Sequence, residues 1–228
     1  DGGFEFTTDV PYSTGTDFCD WVILGGIVTD DEGSISTPPD IRHFVLPRGD
    51  YEIVEGSWNV MGLSGTGSKN IRIKDQFIPD YRVIEAPKMI EGVYYGERRE
   101  GQALYGMSFG CTFATAIASG TLGIARGALD AYREYMQKRV SAAGVVAKVD
   151  PFQQAALAEA EADWSSAVIL LEKMSDDFYQ QAQRGEPLTT AQRLEFRRDQ
   201  VRAVQRVLES VDKVFALAGS AAVWTDKP

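Results

Sequence analysis

Hydrophobic and polar positions follow two different periods along this chain, and the change falls near residue 100. Before it, short runs of β-branched and aromatic residues are punctuated by Gly, Asp and Pro: Phe4–Thr7, Trp21–Leu24, Ile41–Leu46, Tyr51–Val54 and Ile71–Lys74. Such runs predict strands, and their even spacing predicts a barrel or sandwich. After Gln102 the period lengthens, and Phe109 to Arg139 carries Ala and Leu at the spacing of one long helix. A second helix is expected from Asp150-Pro151, an N-cap acid followed by a first-turn proline. Its apolar face is read as Leu157, Ala160, Trp164, Val168, Leu171, Met174 and Phe178. The capping-box sequence Thr189–Gln192 opens a third helix, with Leu194, Val201, Val204, Leu208, Val211 and Phe215 as its stripe. Three long amphipathic helices in succession predict an antiparallel bundle. The expected organisation is an α+β chain, with a β domain over residues 1–90 and a helical bundle over 91–228.

The stretch Gly101–Ala125 has no charged residue, which raises the question of a membrane span. It is rich in Gly, Ser and Thr rather than Leu and Ile, so a closely packed bundle helix is expected instead. The net charge of −10, with no basic run, argues against nucleic acid or an anionic membrane as the main partner. Cys19 and Cys111 are the only cysteines, too few for a disulfide framework or a metal knuckle. No signal-peptide pattern is visible, so a reducing cytoplasm is the expected compartment. The sequence starts at Asp1 without Met, and the native N-terminus is expected to lie outside it.

Several familiar sites are excluded by spacing. Gly62-Leu-Ser-Gly65-Thr-Gly67 matches neither the dinucleotide fingerprint nor a phosphate loop, and no Lys follows in register. His43 is the only histidine, which removes multi-histidine metal sites, and its place in a strand favours a structural role over a catalytic one. Two segments remain, Asp9–Trp21 and Ser57–Ser68, each setting an aromatic residue beside a knot of Ser, Thr and Gly. Such loops offer neutral hydroxyl and amide donors to a polar heterocycle, with an aromatic ring to cover its face. Plain turns account for the same composition.

Taken in order, Tyr12–Trp21, Trp58–Ser68 and Phe77–Pro79 resemble the middle β domain of the acyl-CoA dehydrogenase fold, in particular its flavin-dependent monooxygenase branch. That branch holds the oxygenase components of two-component aromatic hydroxylases, and Ile41–Arg48 looks close to its members that hydroxylate a steroid-derived phenol. In the helical part Tyr135–Arg139, Phe152-Gln153 and Ala218–Ser220 fit the same family. The resemblance covers essentially the whole chain. It implies an N-terminal helical domain and a last bundle helix that this sequence lacks, so an internal portion of a longer protein is expected.

Carried over position by position, the resemblance implies a catalytic role for Ser13, as the hydroxyl facing the reactive edge of the flavin ring. Tyr12, Thr14 and Gly15 would shape that loop, Trp58 would cover the ring, and Thr66 and Ser68 would supply polar contacts. Arg139 would reach the flavin of a neighbouring subunit, where a fixed cation suits a phosphate, with Gly219 and Ser220 beside the same cofactor. The bland readings are a turn for Ser13, a core position for Trp58 and a solvated helix end for Arg139.

The implied reaction is ortho-hydroxylation of a small aromatic phenol by O2 and reduced flavin, FMN or FAD, delivered by a separate flavin reductase. The base that deprotonates the phenol is expected on the missing last helix, and a homotetramer is implied. Two rivals share the fold. An acyl-CoA dehydrogenase would carry a Trp-Ile-Thr or Trp-Ile-Ser element in the first loop, where this chain has Val10-Pro-Tyr-Ser13. A non-catalytic scaffold would bind no flavin.

Overall fold

The computed structural model describes residues 2–92, 101–141, 144 and 146–224. Residues 93–100, assigned above to the start of the bundle, lie outside the described residues. The chain forms two compact units, Asp1–Met89 and Ile90–Pro228.

Six strands build the first unit: β1 (Gly3–Ser13), β2 (Trp21–Ile27), β3 (Ile41–Pro47), β4 (Glu52–Val54), β5 (Lys69–Pro79) and β6 (Val83–Glu85). They pair antiparallel in two three-stranded sheets, ordered β1-β5-β4 and β2-β3-β6. Alternation decides which side chains turn inward. On β3, Phe44 and Leu46 are buried; on β5, Ile71 and Ile73 are buried while Arg72 and Lys74 stay exposed. Both sheets contribute to one core, which adds Phe6, Val22, Leu24, Tyr51, Ile78 and Val83. The rings of Phe6 and Phe44 stack at 4.4 Å across it. Gly26 makes this stack possible, since a Cβ there would stand 2.7 Å from the Phe6 ring and 2.9 Å from that of Phe44. The short strand β6 was not among the predicted runs; it is recruited by pairing Val83 with Phe44.

Four α-helices follow among the described residues: α1 (Ala86–Glu91), α2 (Phe109–Lys138), α3 (Pro151–Gln183) and α4 (Thr190–Ala218). The two sequence-predicted starts carry their caps. The Asp150 carboxylate accepts from the N–H groups of Phe152 and Gln153 at 2.8 and 3.2 Å. Thr189 and Gln192 form the reciprocal capping box. Small residues line the seams, with Ala114, Ala118, Ala125, Ala160, Ala167 and Ala203 buried, so the helices approach closely. No helix among the described residues is long and apolar enough to cross a membrane.

The α3 stripe is where periodicity placed it, with Ala160, Leu171, Met174 and Phe178 buried. On α4 the buried stripe is instead Gln200, Ala203, Val207, Ser210 and Val214, whereas Leu194, Val201, Leu208 and Phe215 are exposed. The helix carries apolar residues on two faces, and the narrower, small-residue face meets α2 and α3. On α2, Phe109, Phe113, Ile117 and Ile124 are exposed as well. A groove of about 220 Å³ between α2 and α4 is lined by Ala114, Ile117, Ala118, Thr121, Val201 and Val204.

Candidate functional site

The first knot grows out of β1. Its pairing with β5 slips between Val10 and Ser13, and register resumes with Ser13 opposite Lys69. Irregularities of this kind re-aim side chains. Here Tyr12 takes a left-handed backbone, φ 63°, and its ring is 73% exposed. The ring meets that of Trp58 edge-on at 6.0 Å. Trp58 is half-buried and fixed by its indole N–H, which donates to the Leu63 carbonyl at 3.2 Å.

Hydrogen bonds then tie the two knots together. Gly15, at φ 79°, where a residue without Cβ is unstrained, donates its N–H to the Thr66 carbonyl at 3.1 Å. The hydroxyls of Thr14 and Ser68 lie 2.9 Å apart, and those of Ser68 and Thr66 2.8 Å apart. Thr66 donates to the Leu63 carbonyl at 2.9 Å. Thr16, buried behind them, donates to the Ser13 carbonyl at 3.1 Å. The half-buried Ser13 hydroxyl makes no hydrogen bond to any described residue.

Charge lies on the rim, where one lysine faces two carboxylates. Lys69 Nζ lies 2.8 Å from carboxylate oxygens of both Asp17 and Glu55. Asp17 first, then Glu55, holds the lysine pKa above its ordinary value. Gly67, at φ 54°, lets the chain pass Asp17, whose carboxylate would stand 2.9 Å from a Cβ.

Arg139, Gly219 and Ser220 belong to the second unit. There the end of α2 and the start of α3 supply donors to the end of α4. Arg139 Nη1 donates to the carbonyls of Leu217 and Ala218 at 2.7 and 3.3 Å. The Tyr135 hydroxyl donates to Ala218 at 3.1 Å. The Gln153 amide reaches Leu217 at 3.5 Å, while its oxygen accepts from the Tyr132 hydroxyl. These are the orphan carbonyls that every helix leaves at its C-terminus, and a cation there also meets the negative end of the helix dipole. Arg139 has no carboxylate partner among the described residues. Its Nη2 lies 3.7 Å from where a Cβ on Gly219 would stand, and Gly219 turns the chain at φ 68°.

The structure therefore gathers Tyr12, Ser13, Thr14, Gly15, Trp58, Thr66 and Ser68 in one unit, and Arg139 and Gly219 in the other with the exposed Ser220 next in sequence. His43 sits on β3 opposite Gly25 and Ile84. Its Nδ1 is buried without a partner, and burial pushes its pKa down. Leu63, Asp17 and Lys69 were missed as supports of the first group. So were Tyr135 and Gln153 as supports of the second. The one sequence signal for Leu63 was its place directly after Gly62 in a glycine-rich loop, where the backbone takes φ 54°.

The chain belongs to the acyl-CoA dehydrogenase C-terminal domain family. Residues 115–228 match the acyl-CoA dehydrogenase C-terminal domain. Within it, the chain is 38% identical over its whole length to a pigment production hydroxylase of Rhodococcus erythropolis, covering 58% of that protein. It is likewise 38% identical, over its whole length, to the flavin-dependent monooxygenase oxygenase subunit HsaA of Rhodococcus jostii, covering 59% of it. The crystal structure of 3-HSA hydroxylase from Rhodococcus sp. RHA1 superposes with a TM-score of 0.89 at 38% identity, over all of this chain and 58% of that one. The chain thus spans less than two thirds of the length of these relatives.

Proposed function

We propose that the protein is the oxygenase component of a two-component flavin-dependent monooxygenase, hydroxylating a phenolic substrate ortho to its hydroxyl with O2. A separate reductase supplies the reduced flavin, FMN or FAD. The observation that carries this reading is the uncharged lining of the first unit's loops: two aromatic rings, a glycine turn and a serine hydroxyl with no partner among the described residues, with the rim carboxylates Asp17 and Glu55 both held by Lys69. That donor set fits a flat heterocycle with several carbonyl and ring-nitrogen groups.

When bound, reduced flavin supplies the two electrons that send one oxygen atom of O2 to water while the other enters the ring of the phenol. Ser13 offers a neutral donor beside the reacting atoms and adds no competing charge. Trp58, with Tyr12 edge-on against it, covers the ring and excludes water, which would divert the oxygen to hydrogen peroxide. Thr14, Gly15, Thr66 and Ser68 shape the loop around it. Arg139, with Gly219 and Ser220, holds the flavin phosphate of a neighbouring subunit. We place the base that takes the phenol proton outside these residues, because His43 lies in a strand with Nδ1 buried.

An assembly of subunits follows from this role for Arg139, and we take it to be a homotetramer. The exposed apolar residues of α2 and α4 support it, since Phe113, Ile117, Leu208 and Phe215 are each about half exposed or more.

The deciding experiment supplies the full-length protein with reduced flavin, ¹⁸O2 and a phenol. A catechol carrying one ¹⁸O atom is the expected product. Bleaching of bound oxidised flavin by an acyl-CoA, with no catechol formed, would transfer the protein to the dehydrogenases. Failure to bind flavin in either redox state would make it a scaffold.

A further inference from the structure

Thr16, 2% exposed, is the most buried polar side chain of the β unit among the described residues. A buried hydroxyl costs free energy unless it is hydrogen-bonded, and valine would fill nearly the same space without that cost. The proton of Thr16 goes to the Ser13 carbonyl at 3.1 Å. This bond closes a tight turn over Ser13–Thr16, in which Gly15 takes φ 79° and ψ 7°, the values of the third residue of a type II turn. The two residues between are anchored elsewhere: the Thr14 hydroxyl lies 2.9 Å from that of Ser68, and the Gly15 N–H donates to the Thr66 carbonyl. Thr16 makes the one side-chain hydrogen bond that reaches Ser13 among the described residues. The Ser13 hydroxyl itself has no partner among them, so its direction is left to the backbone that carries it. Which rotamer a serine takes depends on its φ and ψ.

We infer that Thr16 is a positioning residue for the reaction: by holding the Ser13 carbonyl it aims the unbonded Ser13 hydroxyl. The inference rests on the role proposed for Ser13 above. Thr16 is buried behind the loop and acts only through Ser13. Each reduced flavin that O2 oxidises either converts one phenol to one catechol and one water, or yields one hydrogen peroxide with the phenol untouched. A misdirected Ser13 hydroxyl shifts that balance toward peroxide. Losing one neutral hydrogen bond moves such a balance by about twofold to tenfold.

The test supplies the full-length protein with reduced FMN or FAD, O2 and a series of para-alkylphenols beginning with p-cresol, and measures catechol and peroxide formed per flavin. Two further measurements go beside it: the Kd of reduced flavin under argon, and amide exchange over residues 13–18 in flavin-free protein. Thr16→Val keeps the β-branched shape and removes the donor. The catechol-to-peroxide ratio should fall by about twofold to tenfold, and exchange over the turn should quicken, while the Kd stays at its parent value. Thr16→Ser restores the donor and with it the parent ratio. Thr16→Ala removes the same hydroxyl and covers the case of a poorly folding valine variant. In a Ser13→Ala background Thr16→Val should change the ratio no further, because residues that act through one another are not additive. A ratio and an exchange rate that Thr16→Val leaves unmoved, with catechol still formed, overturn this inference and leave the flavin reading standing. Effects of Ser13→Ala and Thr16→Val that simply add overturn it as well, since Thr16 would then act on its own. No catechol from the parent protein with any phenol of the series overturns both.

Discussion

The two groups of site residues are held in opposite ways. In the β unit, side chains are fixed by one another through neutral hydroxyls, on a backbone that turns left-handed at Tyr12, Gly15, Leu63 and Gly67. In the helical unit, side chains from two helices converge on the carbonyls that end a third, and one of them is a cation. The first arrangement stores its shape in backbone conformation; the second stores it in tertiary packing. Backbone substitutions should therefore damage the β loops most, and side-chain truncations should damage the helix end most.

The largest effect is expected at Arg139. Arg139→Ala removes charge-assisted bonds to two buried-end carbonyls, so thermal unfolding of the bundle should reveal a loss of about 1.5–3 kcal/mol. Flavin affinity should fall with it. A variant of parental stability would mean that Tyr135 and Gln153 hold the helix end unaided. Next comes Gly67→Ala in the β unit. The alanine must sit at φ 54° and displace the Asp17 carboxylate from Lys69, a cost of about 1–2 kcal/mol. An unchanged melting temperature would show that the loop relaxes without strain, and would break the contrast drawn here. Tyr135→Phe deletes one neutral hydrogen bond to Ala218 and should cost about 1 kcal/mol. Amide exchange at Gly219 and Ser220 is the sharper measure, since it should quicken if Tyr135 positions that turn and stay unchanged if the hydroxyl is incidental.

The sequence made some of this legible, and the reason differs by residue. Helix starts at Asp150-Pro151 and Thr189 were readable because a cap is a local device, complete within four residues. The extension of β1 to Ser13 was not, because a register slip against β5 is a property of two strands. The α4 stripe was misplaced because both of its faces carry apolar residues, and periodicity alone does not choose between them. The Ser/Thr/Gly knots announced a neutral donor loop by composition. Which hydroxyl meets which, Thr14 with Ser68 across 54 positions, was fixed only by the fold. Arg139 was found by resemblance, but its partners are backbone carbonyls, which leave no mark in a sequence.

The smallest effect sharpens the comparison from another side, because the only histidine lies in the β unit. Burial holds the His43 pKa below its ordinary value of 6.5. Well above pH 6.5 the imidazole is neutral in both folded and unfolded chains, and it contributes nothing to the pH dependence. As the pH falls below 6.5, the unfolded chain takes up a proton that the folded protein refuses until its own lower pKa is reached. Stability should therefore decline with falling pH across that window. His43→Leu removes the proton acceptor, so the stability difference between variant and parent should grow in the variant's favour between pH 7 and 5. The helical unit has no histidine, and probes placed in its core should show no such difference. A gap that stays constant over that range would mean His43 titrates freely in the folded β unit.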